Sequence, residues 1–281
     1  MDENFEKKGY SVSFIVSMII LLLGAAVLAV GIILWKTNGI DQYIHLESFS
    51  VKDQPLDNIA KLDINVESGT LKIIRGGEKL DLNAENVPEG IYDYGTRDGK
   101  FVLKCKSRFS FLNYSVLQLF TDKNIKPKFE LTLPDKVFDE VTLKVGAGEI
   151  ELDGLTADEI EIDVGAGSLS GSGVKALNEL NCDIGAGEFV LTDCETSKLE
   201  LDCGAGSATY KGTVTGGADI DCGVGELNIT VYGSADMYNI KAEKGIGDLN
   251  IDRGGAPAEK GSIPFKVDGG IGEINIKFVN Q

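Results

Sequence analysis

The segment VTLKVGAGEIEL (141–152) is followed by IEIDVGAGSLSG (160–171), LNCDIGAGEFVL (180–191), LELDCGAGSATY (199–210) and ADIDCGVGELNI (218–229). Two looser copies come next, IKAEKGIGDLNI (240–251) and FKVDGGIGEINI (265–276). A degenerate one, LDINVESGTLKI (62–73), keeps only Gly69 of the glycine pair. The first glycine of each pair stands at 146, 165, 185, 204, 223, 245 and 270, at intervals of 19, 20, 19, 19, 22 and 25 residues. Self-similarity at a short, nearly fixed period is the signature of a repeat architecture.

Apolar and polar residues alternate on both sides of each Gly-x-Gly, so a copy reads as strand, corner, strand. One inward column holds Leu143, Ile162, Cys182, Leu201, Ile220 and Val267. Another holds Val145, Val164, Ile184, Cys203 and Cys222, and a third, after the corner, holds Ile150, Leu169, Phe189, Ala208, Leu227, Leu249 and Ile274. The corners are Gly146 and Gly148, Gly165 and Gly167, Gly185 and Gly187, Gly204 and Gly206, Gly223 and Gly225, Gly245 and Gly247, and Gly270 and Gly272. The residue between them is small in Ala147, Ala166, Ala186 and Ala205, as stacked corners require.

A unit this short cannot bury its own apolar face, but parallel stacking of coil on coil can. The expected fold class is therefore all-β, a parallel β-solenoid (β-helix) of about 19–20-residue coils with Gly-x-Gly corners, preceded by one N-terminal transmembrane helix. At about 4.8 Å per coil the eight copies make a rod about 40 Å long. A sandwich of hairpins would alternate strand direction and would not need the same corner in every copy.

Composition agrees. Glycine makes up 35 of 281 residues while proline numbers 6, against about 7% glycine in ordinary proteins. The net charge of −17 excludes a nucleic-acid partner, because phosphate binding needs clustered Lys and Arg. His45 is the one histidine, which leaves little room for imidazole catalysis or His-ligated metals.

From Gly9 to Trp35 no residue is charged, a run of 27, where about 20 apolar residues suffice to cross the hydrocarbon. A cleaved signal would carry a shorter apolar run and a small-x-small site after it. The expected organisation is a short cytoplasmic N-terminus at 1–9, a transmembrane helix at 10–35 and a juxtamembrane linker at 36–58. The solenoid follows at 59–281, irregular over 59–135 and regular over 141–281. Lys7 and Lys8 before the span and Trp35 and Lys36 after it favour a cytoplasmic N-terminus and an exported body. Residues 1–36 balance Asp2, Glu3 and Glu6 against Lys7, Lys8 and Lys36, so all of the −17 sits in residues 37–281. Ala25 and Ala29 could let two spans approach.

KLDLNAEN (79–86), KFVLKCKS (100–107) and KFELTLP (128–134) read as strands, and GTRDGK (95–100) as a turn. Between Arg108 and Ile125 the chain is rich in Phe, Tyr, Leu and Val. The favoured reading is an insertion covering the open N-terminal end of the solenoid; contact with the bilayer surface and a ligand or partner groove are the alternatives. A membrane span, the Gly-x-Gly repeat and the LTLP step (131–134) into the regular coils together resemble the bacterial β-strand-repeat family known as domain of unknown function 4097, whose members are called adhesins. The resemblance covers about residues 46–281 and implies a cell-envelope β-solenoid; it supplies no catalytic residues.

Little else carries chemistry. The corners resemble fragments of a dinucleotide fingerprint, but Glu151, Ser170, Val190, Thr209, Asn228, Asn250 and Asn275 stand where its third glycine belongs, and no helix follows. Asp163, Asp183, Asp202, Asp221, Glu243 and Asp268 form an outward acidic ladder two residues before the corners. Its favoured reading is a solvated face that blocks lateral sheet pairing; weak Ca2+ binding at Asp163, Asp183, Asp202 and Asp221 is the alternative. A second acidic column holds Glu149, Glu188, Glu226, Asp248 and Glu273. Cys182, Cys203 and Cys222 read as small buried hydrophobes, with a Cys203–Cys222 bridge as the alternative; Cys194 reads as a turn residue and Cys105 as lying on a separate strand. Ser172 and Lys175 fit Ser-x-x-Lys without its companion motifs.

The expectation is a protein without catalytic residues, cofactor or confident metal site. It would be held by one span in the bacterial cytoplasmic membrane and act through its acidic strand faces and variable turns as an adhesion or interaction surface for an envelope glycan or protein. An accessory role in envelope-stress signalling is the alternative, and a polysaccharide-active enzyme a more distant one.

Overall fold

A computed structural model describes residues 45–54, 59–106, 126–257 and 261–280, with the helical positions Gly24, Ala29, Val30, Gly31 and Ile33. The chain divides into two units, residues 1–45 with 112–124 and residues 46–111 with 125–281. Among the described residues no helix is long and apolar enough to cross a membrane. Apart from the five positions just named, the span read at 10–35 lies outside the described residues, as does the insertion between Arg108 and Ile125.

In the second unit alternation becomes strand. The strands are β1 (Leu46–Gln54), β2 (Lys61–Gly77), β3 (Leu80–Pro88), β4 (Tyr92–Arg97), β5 (Lys100–Cys105), β6 (Lys128–Pro134), β7 (Phe138–Tyr232), β8 (Tyr238–Asp252) and β9 (Ile263–Val279). The 95 residues of β7 wind through the five best copies of the repeat without a break. β2 lies parallel to β7 with Leu62 opposite Val141, Gly69 opposite Gly148 and Leu71 opposite Ile150, so the degenerate copy is a true coil of the stack. The inward columns named from sequence are buried, with Leu143, Ile162, Cys182, Leu201, Ile220 and Val267 all at 0% exposure.

The first three coils of β7 bend a second time, at a position the alternation alone does not mark. Gly154, Gly173 and Asp193 have φ of 75°, 68° and 53°, the left-handed region. The chain then turns inward again, burying Leu155, Val174 and Cys194. Cys194 is thus a core residue, not the turn residue expected. Asp193 takes the left-handed place, and its neighbour continues the inward column.

The order of the coils departs from the order of the chain at both ends. On the far side of β2 lie β5, paired with Lys61–Asn65, and β6, paired with Thr70–Gly77, both parallel. Antiparallel β4 and β3 then close the edges of β5 and β6, and β1 flanks β3. Among the described residues these strands cover this end. The stretch read as linker at 36–58 also needs correction. Leu46–Gln54 is strand β1 within the sheet, because its backbone pairs with β3 from Leu46–Pro88 to Gln54–Leu80.

At the opposite end β9, not β8, stacks on the last coil of β7, and β8 stacks outside β9. A cluster of Tyr238, Phe265 and Phe278, with ring centroids 5.3–5.7 Å apart, fills the core there. The buried Tyr238 hydroxyl donates to the Val214 carbonyl at 2.7 Å.

Candidate functional site

The corner column is built by close backbone approach. At Gly167 φ is +145°, and an added Cβ would lie 1.8 Å from the Gly148 carbonyl oxygen. The same approach recurs from Gly148 onto Gly69 at one end to Gly247 onto Gly272 at the other. First glycines are also constrained: a Cβ at Gly185 would lie 2.5 Å from the Gly165 carbonyl oxygen. The corner backbone is consumed by its own stack, so it is structural and not a phosphate cradle. The residue between the glycines faces solvent, and its column runs through Val224, Ile271 and Ile246, exposed by 51%, 53% and 73%.

Beside the corners the acidic ladder is real, and in space it runs Asp163, Asp183, Asp202, Asp221, Asp268, Glu243. Burial, reinforced by Asp221 and Asp183 on the adjacent coils, pushes the Asp202 carboxyl above its ordinary value. Burial also raises Asp221; Lys266 opposes the rise and Asp268 adds to it. Lysines interrupt the negative field at both ends. Lys144 lies 2.7 Å from Glu161 and 3.7 Å from Asp163, and Lys266 lies 2.6 Å from Asp268 and 3.2 Å from Asp219. Among the described residues no group of three or more His, Cys, Asp or Glu side chains is arranged to hold a metal ion.

Two features escaped the sequence reading. One is an acidic hollow of about 210 Å³ lined by Glu140, Glu159, Glu161 and Glu179 with Thr142 and Asn181. Lysines partly neutralise it: Lys61 lies 2.6 Å from Glu140 and holds that carboxyl below its ordinary value, and Lys198 lies 3.0 Å from Glu179. These acids stand farther before the corner than the ladder, in columns where lysine and glutamate mix, so no run of one residue type marks them. The other is an open groove of about 710 Å³ across β1, β3, β6, β2 and β7, lined by Ser48, Ser50, Lys72, Glu85, Lys128, Glu130 and Glu151 among others. Its side chains are mixed in sign, with Lys72 3.6 Å from Glu151. The groove arises from the irregular strands, whose pairing the local pattern does not specify.

The five cysteines are thiols, and Cys182, Cys194, Cys203 and Cys222 are buried. Burial pushes Cys182 well above its ordinary value and Cys194 up to about 12. Cys203 hydrogen-bonds Cys222 on the adjacent coil, and that bond raises the Cys203 thiol. Cys182 and Cys194, raised in this way, pack as small hydrophobes and are poor nucleophiles. His45 is exposed.

No curated protein matches the chain. Solved structures do. One is named a "putative cell adhesion protein" from Clostridium sporogenes, with 22% identity over 84% of this chain and 100% of that one, at a TM-score of 0.38. A "putative adhesin" from Bacteroides fragilis shows 15% identity over 83% and 97% of the two chains, at 0.39. A "putative lipid binding protein" from Parabacteroides distasonis shows 14% identity over 83% and 96%, at 0.40. The family described as Toastrack DUF4097 matches residues 59–279, which hold the coils and all of their closing strands but β1, and the chain belongs to that family.

Proposed function

We propose that the chain is a membrane-anchored β-solenoid of the bacterial cell envelope acting as a non-enzymatic interaction surface. The observation that carries this reading is the regularity of the outward columns. An active site needs different groups converging on one reacting atom. Here the ladder repeats one kind of group from coil to coil along the face, Asp183, Asp202 and Asp221 among them. Such a face suits an extended partner bearing positive charge, bound with strong salt dependence. The uncharged run from Gly9 to Trp35 supports a single span, with the acidic body exported.

Two measurements test the reading. Leu177 is 43% exposed; Leu177→Cys in a Cys105→Ser background should react with a membrane-impermeant maleimide on intact cells. Labelling only after lysis overturns the exported topology. The full chain in nanodiscs should bind envelope polysaccharide or protein fractions with salt-sensitive affinity and leave them chemically unchanged. Turnover of any of these polymers overturns the non-enzymatic reading.

A further inference from the structure

The two ends of the coil stack are finished differently. At one end β4 and β3 pair along β5 and β6, and the outermost strand β1 is broken by two register shifts against β3, a device that blunts an edge against further pairing. At the other end β8 pairs with β9 alone. Among the described residues nothing covers the core there. Leu227 and Ile229 in the last coil of β7 are 0% and 1% exposed, whereas Ile251, in the column of Ile229, is 39% exposed and Leu249, in that of Leu227, is half-buried. The corner column also turns apolar towards this end, from Ala205 to Val224, Ile271 and Ile246. Terminal repeats of a stack ordinarily carry a polar outer face.

We propose that the β8 end docks on the β8 end of a second copy of this chain, giving a two-fold, head-to-head dimer. Symmetry restricts the arrangement. A two-fold axis along the strand would turn the inward face of one coil outward. An axis perpendicular to both strand and stack keeps core over core and sets the two β8 strands antiparallel.

Matching inward side chains while bringing the two corners together leaves two central registers. One places Glu243 against Asp248 of the second copy, twice, which like-charge repulsion disfavours. The other places Lys241 against Asp252 and Glu243 against Asn250, with Ala242 facing Ile251 across the core. Along YNIKAEKGIGDLNID (238–252) that second register pairs Lys241 with Asp252 at both ends of the contact and sets Lys244 against Leu249. Lys244 breaks the apolar column that holds Cys222 on the last coil of β7, and its Nζ donates to the Gly247 carbonyl at 2.8 Å. An inward lysine of this kind blunts the edge towards indiscriminate strand addition. Because the far end is closed, assembly stops at two chains.

The test uses the full chain in detergent or nanodiscs, with mass measured by sedimentation and corrected for bound detergent or lipid. Two chains per particle are expected at micromolar concentration. Ile246→Lys, at a 73% exposed position where folding is not at risk, should raise the dimer dissociation constant about tenfold or more with the melting transition of the monomer retained. Lys241→Asp should weaken the dimer, and Lys241→Asp with Asp252→Lys should restore it. A single chain per particle overturns the proposal. So does a dimer indifferent to these changes, which would move the association to another part of the chain such as the Ala25/Ala29 face, and so does weakening by Lys241→Asp without restoration in the double variant.

Discussion

Asn275 donates its side-chain amide to the Asn228 side-chain oxygen at 3.1 Å, and Asn250, nearer to Asn228 in the chain, instead donates to Asn275 at 3.0 Å. The last coil of the chain is therefore the middle coil of this asparagine ladder. Asn228→Cys with Asn275→Cys should therefore form a disulfide on mild oxidation, since neighbouring coils lie about 4.8 Å apart. Asn228→Cys with Asn250→Cys should not, being two coils apart. Peptide mapping of non-reduced digests checks the pair.

The second glycines of the corners tolerate nothing larger. Gly167→Ala places a methyl 1.8 Å from the Gly148 carbonyl oxygen at a φ of +145°. The stack cannot separate locally without breaking parallel pairing on both sides, so a loss of about 3 kcal/mol or more is expected. The control is one residue away. Ala166→Val should melt within about 0.5 kcal/mol of the parent, because Val224 occupies the equivalent place with 51% exposure. Chemical denaturation of the two variants side by side distinguishes them.

The ladder predicts a dependence on pH whose sign can be worked out. Asp202 has a raised folded-state value, from burial and from Asp221 and Asp183. The folded state therefore binds its proton more tightly than the unfolded chain. Its ionisation destabilises the fold above the raised value, and this penalty is relieved as pH falls through it, fully so below the ordinary Asp value near 3.8. Glu140 runs the other way, since the stability that Lys61 confers by lowering its value is lost at acid pH. Asp202→Asn should raise stability at pH 7 by about 0.5 kcal/mol at low salt, less at high salt, and should remove part of the gain on acidification. Melting curves between pH 7 and pH 4 at two salt concentrations provide the check.

Tyr238 joins the aromatic cluster to the coil that contains Val214. Removing only its hydroxyl, in Tyr238→Phe, leaves the Val214 carbonyl without that donor and should cost about 1 kcal/mol. Tyr238→Ala empties a fully buried site and should cost about 3–5 kcal/mol. A Phe variant as destabilised as the Ala variant would contradict the packing role of the ring.

Thiol accessibility should separate the cysteines. In the folded chain a bulky thiol reagent should modify Cys105, the half-exposed one, and spare the other four until denaturant is added. Rapid modification of Cys194 in native conditions would mean that its inward column opens.

The sequence made the coil legible because two strong local rules coincide in it. Alternation fixes which side of a strand is buried, so Leu143, Ile162 and Leu201 could be assigned to the core without any contact map. The glycine pair fixes where the backbone must approach its neighbour, so Gly146 and Gly148 could be assigned to a corner. The second bend was harder to see, because Gly154, Gly173 and Asp193 share a backbone conformation without sharing a residue type. The acidic hollow was hidden for a related reason. Lys61, Lys144 and Lys198 neutralise carboxylates on neighbouring coils, at sequence separations of 79, 17 and 19 residues.

By itself the sequence determined the repeat, its inward columns, its corners and the acidic face beside them, because each follows from side-chain period and glycine sterics within one coil. Only the tertiary structure decided which coil stacks on which. Leu227 could sit against Leu249 or Ile274 with almost the same apolar contact, so the repeat cannot choose between them. The choice goes with contacts that the repeat pattern does not specify, in particular the packing of Phe265 and Phe278 against Tyr238. It places β9 inside and leaves β8 as the open edge.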